Sequence, residues 1–147
     1  MGFESEYIHT VQYYETDKMG ITHHSNYIRW MEEARVAYLA QAGWDYAKLE
    51  SMGIVSAVVS LNCDFRRPTV FPEQVVIRTS LSQFKGVTFT FSYRMFNAGG
   101  EEVFSGTSLH VFLNPEGRPA GIRRKYPELY ERFCALAEES EKTGTNG

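Results

Sequence analysis

The chain is short of several things at once. It has only two cysteines, Cys63 and Cys134, in 147 residues. Two thiols are too few for a disulfide scaffold and show no paired spacing for a metal site. They read as reduced thiols in a cytoplasmic protein. No apolar run approaches the roughly 18 residues needed to span a bilayer. The N-terminus lacks the basic-then-apolar pattern of a signal peptide. Net charge is −3 and no single-signed block exceeds Arg123-Arg124-Lys125, which argues against a nucleic-acid surface, since that needs a sustained basic face. Repeats and linkers are missing too. The expectation is one domain over residues 1–141 and a flexible tail over 142–147.

Aromatics are plentiful, with ten Phe, nine Tyr and two Trp. The chain is organised around the stretch from Tyr13 to Gly43, which opens on an acidic turn, Glu15-Thr16-Asp17, with Gly20 beyond it. The polar ledge His23-His24-Ser25-Asn26 follows. Tyr27, Trp30, Met31, Ala34, Tyr38 and Ala42 then recur at helical spacing. Ile28, Val36 and Leu39 widen that stripe, so most of this helix is expected to be covered by protein. Ser25 or Asn26 is the expected cap and Gly43 the stop. Glu32 and Arg35 stand three apart and can pair.

Strand signals flank the helix. Tyr7–Tyr13 alternates with period two, Ile54–Phe65 is rich in β-branched residues, and Gln74–Leu81 continues after a turn with two prolines. Val87–Phe96 is the clearest strand, and Asn97-Ala98-Gly99-Gly100 turns it into Glu102–Leu113. On that last strand Val103, Ser105, Thr107, Leu109, Val111 and Leu113 share a face. Trp44–Met52 reads as a short helix, and Pro127 opens a final helix running to about Ser140. The order implies an α+β fold: a five-stranded antiparallel sheet, its last four strands a meander, wrapped around the long helix, with a C-terminal helix. Long edge strands make self-association expected, as a homodimer or homotetramer.

The block V-x-Y-x-E-T-D-x-x-G-x-x-x-H-x-N-Y-x-x-W-x-E-x-A-R, from Val11 to Arg35, resembles the hotdog-fold thioesterases of the 4-hydroxybenzoyl-CoA thioesterase type. It is most similar to their YbgC-like acyl-CoA branch. Arg67-Pro68, the Val87–Phe96 strand and Gly106-Thr107 extend the resemblance over nearly the whole chain. It implies hydrolysis of acyl-CoA to a free acid and CoA, without metal or redox cofactor. Asp17 takes the place of the catalytic carboxylate, as nucleophile or general base, and the backbone amide of His24 that of the oxyanion donor. Gly20, His23, Asn26, Tyr27, Arg66, Arg67, Gly106 and Thr107 are the substrate-side candidates. Asn26 and Tyr27 can equally cap the helix and pack the core, and Gly106 can equally mark a strand bulge. His23 departs from the family, many of whose members carry an aromatic residue there. His9 and His110 read as isolated strand residues. The alternatives are a non-catalytic acyl-thioester binding module and a thioesterase acting on acyl-carrier protein.

Overall fold

The computed structural model describes residues 3–145, with side chains through Glu138. Five strands form one antiparallel sheet: β1 (Ser5–Thr10), β2 (Val55–Phe65), β3 (Gln74–Phe84), β4 (Thr88–Phe96) and β5 (Glu102–Leu113). Helix α1 (Ser25–Gln41) follows β1, the short α2 (Tyr46–Ser51) leads into β2, and α3 (Pro127–Thr145) closes the chain. The expected hotdog arrangement, a sheet folded about one long helix, is therefore present.

The sheet order is β1-β3-β4-β5-β2, which corrects the four-strand meander. Only β3, β4 and β5 follow one another as neighbours. β5 is the longest strand, at 12 residues, and the 11-residue β2 matches it along its free edge. The chain then crosses to β3, which pairs with β1. β1 itself ends earlier than the alternation suggested. Tyr13–Glu15 forms a 3-10 turn instead, leaving Tyr13 and Tyr14 largely exposed.

The expected apolar face of β4 is the buried one: Phe89, Phe91, Tyr93 and Met95 all point inward. β5 is turned the other way from its expectation. Its register sets Phe104, Ser108 and His110 opposite Met95, Phe91 and Phe89, so the even-numbered residues join the core. Two polar groups are carried inward with them, and a buried polar group is costly unless hydrogen-bonded. A chain of bonds meets that need. Arg35 donates to the Tyr93 hydroxyl at 3.1 Å, Tyr93 and Ser108 share a bond of 2.7 Å, and Ser108 meets His110 Nε2 at 2.7 Å. Arg35 also donates to Tyr46 at 3.1 Å. It therefore serves the core rather than the expected pair with Glu32, and His110 is not isolated. Burial, and secondarily the Arg35 charge, push the His110 pKa down to about 4.

Helix α1 buries Tyr27, Trp30, Met31, Ala34, Tyr38 and Leu39. Of the wider stripe only Leu39 is covered: Ile28 and Val36 are exposed, in line with exposed Glu32 one turn from each. β2 is exposed along most of its length, with Val55, Val58, Val59, Leu61 and Phe65 open to solvent. α3 lays Leu129, Phe133 and Leu136 against Phe84, Phe89 and Phe112. It passes Ser140, so Lys142 to Thr145, expected as tail, are helical. Residues 146–147 of that expected tail lie outside the described residues.

Candidate active site

The acidic turn is built by local bonds. Asp17 N–H donates to the Ile21 carbonyl at 2.9 Å, Gly20 N–H to the Asp17 carbonyl at 2.9 Å, and Thr16 bridges Thr22. Gly20 makes the reversal at φ +78, a left-handed conformation that other residues rarely adopt. Met19 N–H donates to Asp17 Oδ1 at 2.8 Å. Among the described residues nothing else bonds the Asp17 carboxylate, which leaves its second oxygen open.

The helix starts beside this turn. His24 occupies the cap position of α1 with no side-chain bond to the helix. The expectation that Ser25 or Asn26 caps is thereby corrected. Ser25 N–H donates to His23 Nδ1 at 3.2 Å, while Asn26 Nδ2 donates away, to the Glu15 carbonyl at 2.9 Å. Asn26 and Tyr27 N–H are taken by the His23 and His24 carbonyls at 3.0 and 3.2 Å. The His24 N–H has no hydrogen-bond partner among the described residues. An unpaired amide at the positive end of a helix is suited to a developing negative charge.

Asp17, His23 and Asn26 line one open cleft of about 770 Å³, together with His9, Arg29 and Glu33. Sequence reasoning gives Arg29 and Glu33 no role, reads Glu15 as a flank of the site that can tune Asp17, and reads His9 as an isolated strand residue, which its bonds to Glu15 and Glu33 correct. Glu15 is buried, and its carboxylate accepts from His9 Nε2, Gln12 N–H and Trp30 Nε1, each at 2.8 Å. Burial by itself raises its pKa, and the bonds from His9, Gln12 and Trp30 outweigh that and hold it below the ordinary value. His9 Nδ1 turns to Glu33 at 3.2 Å, and Glu33 accepts from Tyr7 at 2.7 Å. That bond first, then burial, pushes the Tyr7 hydroxyl up to about 12. The signal was present in outline: Tyr7 and His9 share a strand face, and Asn26, Trp30 and Glu33 share a helix face. What could not be read was that these two faces meet.

The other candidates lie elsewhere. Tyr27 is buried, stacked on Phe104 at 5.4 Å and bonded to Thr69 at 3.0 Å. Arg66 pairs with Glu102 at 3.1 Å and donates to Ser105, and Arg67 pairs with Glu101 at 3.2 Å. Gly106 sits in β5 opposite Cys63 and Tyr93, with no break in register. A Cβ there would stand 2.5 Å from the Asn62 carbonyl oxygen. Thr107 accepts from Asn62 Nδ2 at 3.4 Å.

A thioesterase-like superfamily model matches residues 11–137, a span that holds the acidic turn, all of α1 and the whole of β2 to β5. The chain belongs to the thioesterase-like superfamily. A candidate acyl-CoA thioesterase of Bacillus subtilis, YneP, is 32% identical over 124 residues, 84% of this chain and 90% of the relative. The Escherichia coli acyl-CoA thioester hydrolase YbgC is 23% identical over 105 residues, 71% of this chain and 78% of its own. The structure of a DHNA-CoA thioesterase from Staphylococcus aureus superposes with a TM-score of 0.90 at 28% identity, over 95% of both chains. The resemblance read between Val11 and Arg35 is borne out, and so is the fold it implied. Among the described residues no helix is long and apolar enough to cross a membrane.

Proposed function

We propose that this thioesterase-superfamily protein hydrolyses acyl-CoA thioesters to a carboxylic acid and CoA in the cleft between the acidic turn and the start of α1. Two observations support the reading: an open carboxylate oxygen on Asp17 in the cleft, and an unpartnered N–H on His24, whose chain neighbours His23 and Ser25 line that cleft although His24 itself does not. A thioester carbonyl whose oxygen accepts from that N–H presents its carbon to the turn. Either an Asp17 oxygen attacks that carbon, or Asp17 takes a proton from a water that attacks it. In both cases the carbonyl π pair moves to oxygen, where the amide and the helix end stabilise it. Collapse breaks the carbon–sulfur bond, the thiolate leaves as CoA, and water supplies the hydroxyl of the acid. In the first route water hydrolyses an acyl-Asp17 anhydride afterwards.

Names among the relatives, YneP, YbgC and the DHNA-CoA thioesterase, favour CoA as the carrier. A cytoplasmic setting belongs to the same proposal and suits two free thiols. So does self-association: the bare β2 edge and the exposed line Ile28–Glu32–Val36 suit a second copy of the chain. The test is thiol release from acetyl-, hexanoyl-, palmitoyl-, benzoyl- and 4-hydroxybenzoyl-CoA. Turnover on any of them is expected. Tight binding of these thioesters with no turnover would instead make the protein an acyl-thioester binding module, and turnover only on acyl-carrier-protein substrates would move the carrier.

A further inference from the structure

Glu15 takes no part in the proposed hydrolysis, yet its bonds join β1, the 3-10 turn, His23 and α1 beside the cleft. Its carboxylate draws three donors from three places: His9 on β1, the Gln12 N–H at the 3-10 turn, and the Trp30 indole one turn into α1, all at 2.8 Å. Its main-chain oxygen accepts from His23 N–H at 2.8 Å and Asn26 Nδ2 at 2.9 Å. Two residues on stands Asp17, and the residue after His23 carries the open amide.

The internal bonds of the Asp17 turn set its shape but not its place against the helix. The Met19, Gly20 and Ile21 contacts all begin and end within residues 17–21. The direct hydrogen bonds from the turn to the start of α1 run through Glu15, beside an indirect path from Thr22 through Thr69 to Tyr27. His9 cannot swing away from it, because its other ring nitrogen is engaged by Glu33, itself held by Tyr7. We infer that Glu15, braced by His9, is the positioning residue that fixes the Asp17 carboxylate relative to the His24 amide. Its importance for turnover rests on the Asp17–His24 reading above, whereas its hold on the turn does not.

The test is Glu15→Gln in the full chain. The variant keeps the shape, but its amide has one acceptor oxygen and points an NH2 at a group that is itself a donor. Hydrogen–deuterium exchange is followed by mass spectrometry, and kcat and KM are measured beside it. Amides of residues 16–24 are expected to exchange about tenfold faster, with the rest of the chain unchanged, because only local opening is eased. The kcat is expected to fall about 10- to 100-fold, the scale of a small misplacement of reacting groups, while KM moves less than about threefold.

Unchanged exchange over 16–24 would overturn the inference. So would a uniform rise along the whole chain with kcat lost only in proportion to unfolded protein, since Glu15 would then merely stabilise the fold. If the variant does not fold, Trp30→Phe removes one donor, keeps an aromatic ring in the core and carries the same test. Should wild-type protein release no thiol from any substrate, the proposed hydrolysis fails, and the exchange measurement still decides whether Glu15 holds the turn.

Discussion

Replacing Gly106 by alanine separates two roles for that position. The added Cβ would lie 2.5 Å from the Asn62 carbonyl oxygen on β2 and 3.0 Å from two carbons of the Phe104 ring. The first of those neighbours is sheet backbone and cannot turn aside. Relief therefore requires β2 to shift away from β5, and Phe104 to give way on its stack with Tyr27. Overpacking of this kind costs about 1–3 kcal/mol. For a chain of this size each kcal/mol lowers Tm by roughly 2–4 °C, so G106A should melt roughly 2–12 °C lower. The assay is a thermal melt followed by circular dichroism, with kcat/KM measured well below the transition. Activity per folded molecule should stay within about threefold of wild type, because the displaced groups are Asn62 and Phe104 rather than Asp17 or His24. A variant that melts like wild type but loses turnover would refute the reasoning. Gly106 would then be reserved for the substrate arm, not for close approach of β2.

Two further predictions concern the core and the free edge. His110 has a folded pKa of about 4, below the ordinary 6.5. The unfolded chain therefore binds the proton first as pH falls, and stability contributed by neutral His110 drains away between roughly pH 6.5 and 4. Between pH 7 and 5 this amounts to about 2 kcal/mol. Denaturant titrations of wild type and His110→Asn should differ in slope over that window, and parallel curves would contradict the assignment. On the edge, Val58→Lys with Leu61→Lys places charge on exposed apolar positions of β2. Light scattering after size exclusion should show a self-associated wild type and a smaller variant, and an unchanged mass would remove β2 from the interface.

Much of the fold was legible because periodicity reports which residues want cover. The Phe89–Met95 alternation, the Asn97–Gly100 hairpin and the helix opening near Ser25 all appear where the pattern set them. Two features escaped for related reasons. The inward face of β5 was misjudged because its buried residues include Ser108 and His110, whose polarity is tolerated only through Arg35 and Tyr93. The order of the sheet depends on which strand covers the free edge of β5, and alternation within a strand does not encode its partner. At the proposed site, the roles given to Asp17 and the His24 amide come from the resemblance alone. Glu15 read as a flanking residue because its three donors come from positions 9, 12 and 30, which only the folded chain brings together. The covered-helix expectation failed at Ile28 and Val36 for a different reason: those residues are apolar, but the described residues leave both substantially exposed.

In the proposed reaction Asp17 acts on a thioester held at the start of α1. Asp17→Asn tests it most directly, because the amide keeps the size of the side chain and the Met19 N–H bond to Oδ1 while removing the anion. Thiol release is measured for wild type and variant on whichever acyl-CoA turns over fastest, with circular dichroism confirming that both are folded. The expected kcat is reduced by about 100-fold or more, the scale of losing a general base or nucleophile, with little change in CoA binding. A folded D17N enzyme that keeps the wild-type rate would contradict it and move the chemistry to another group.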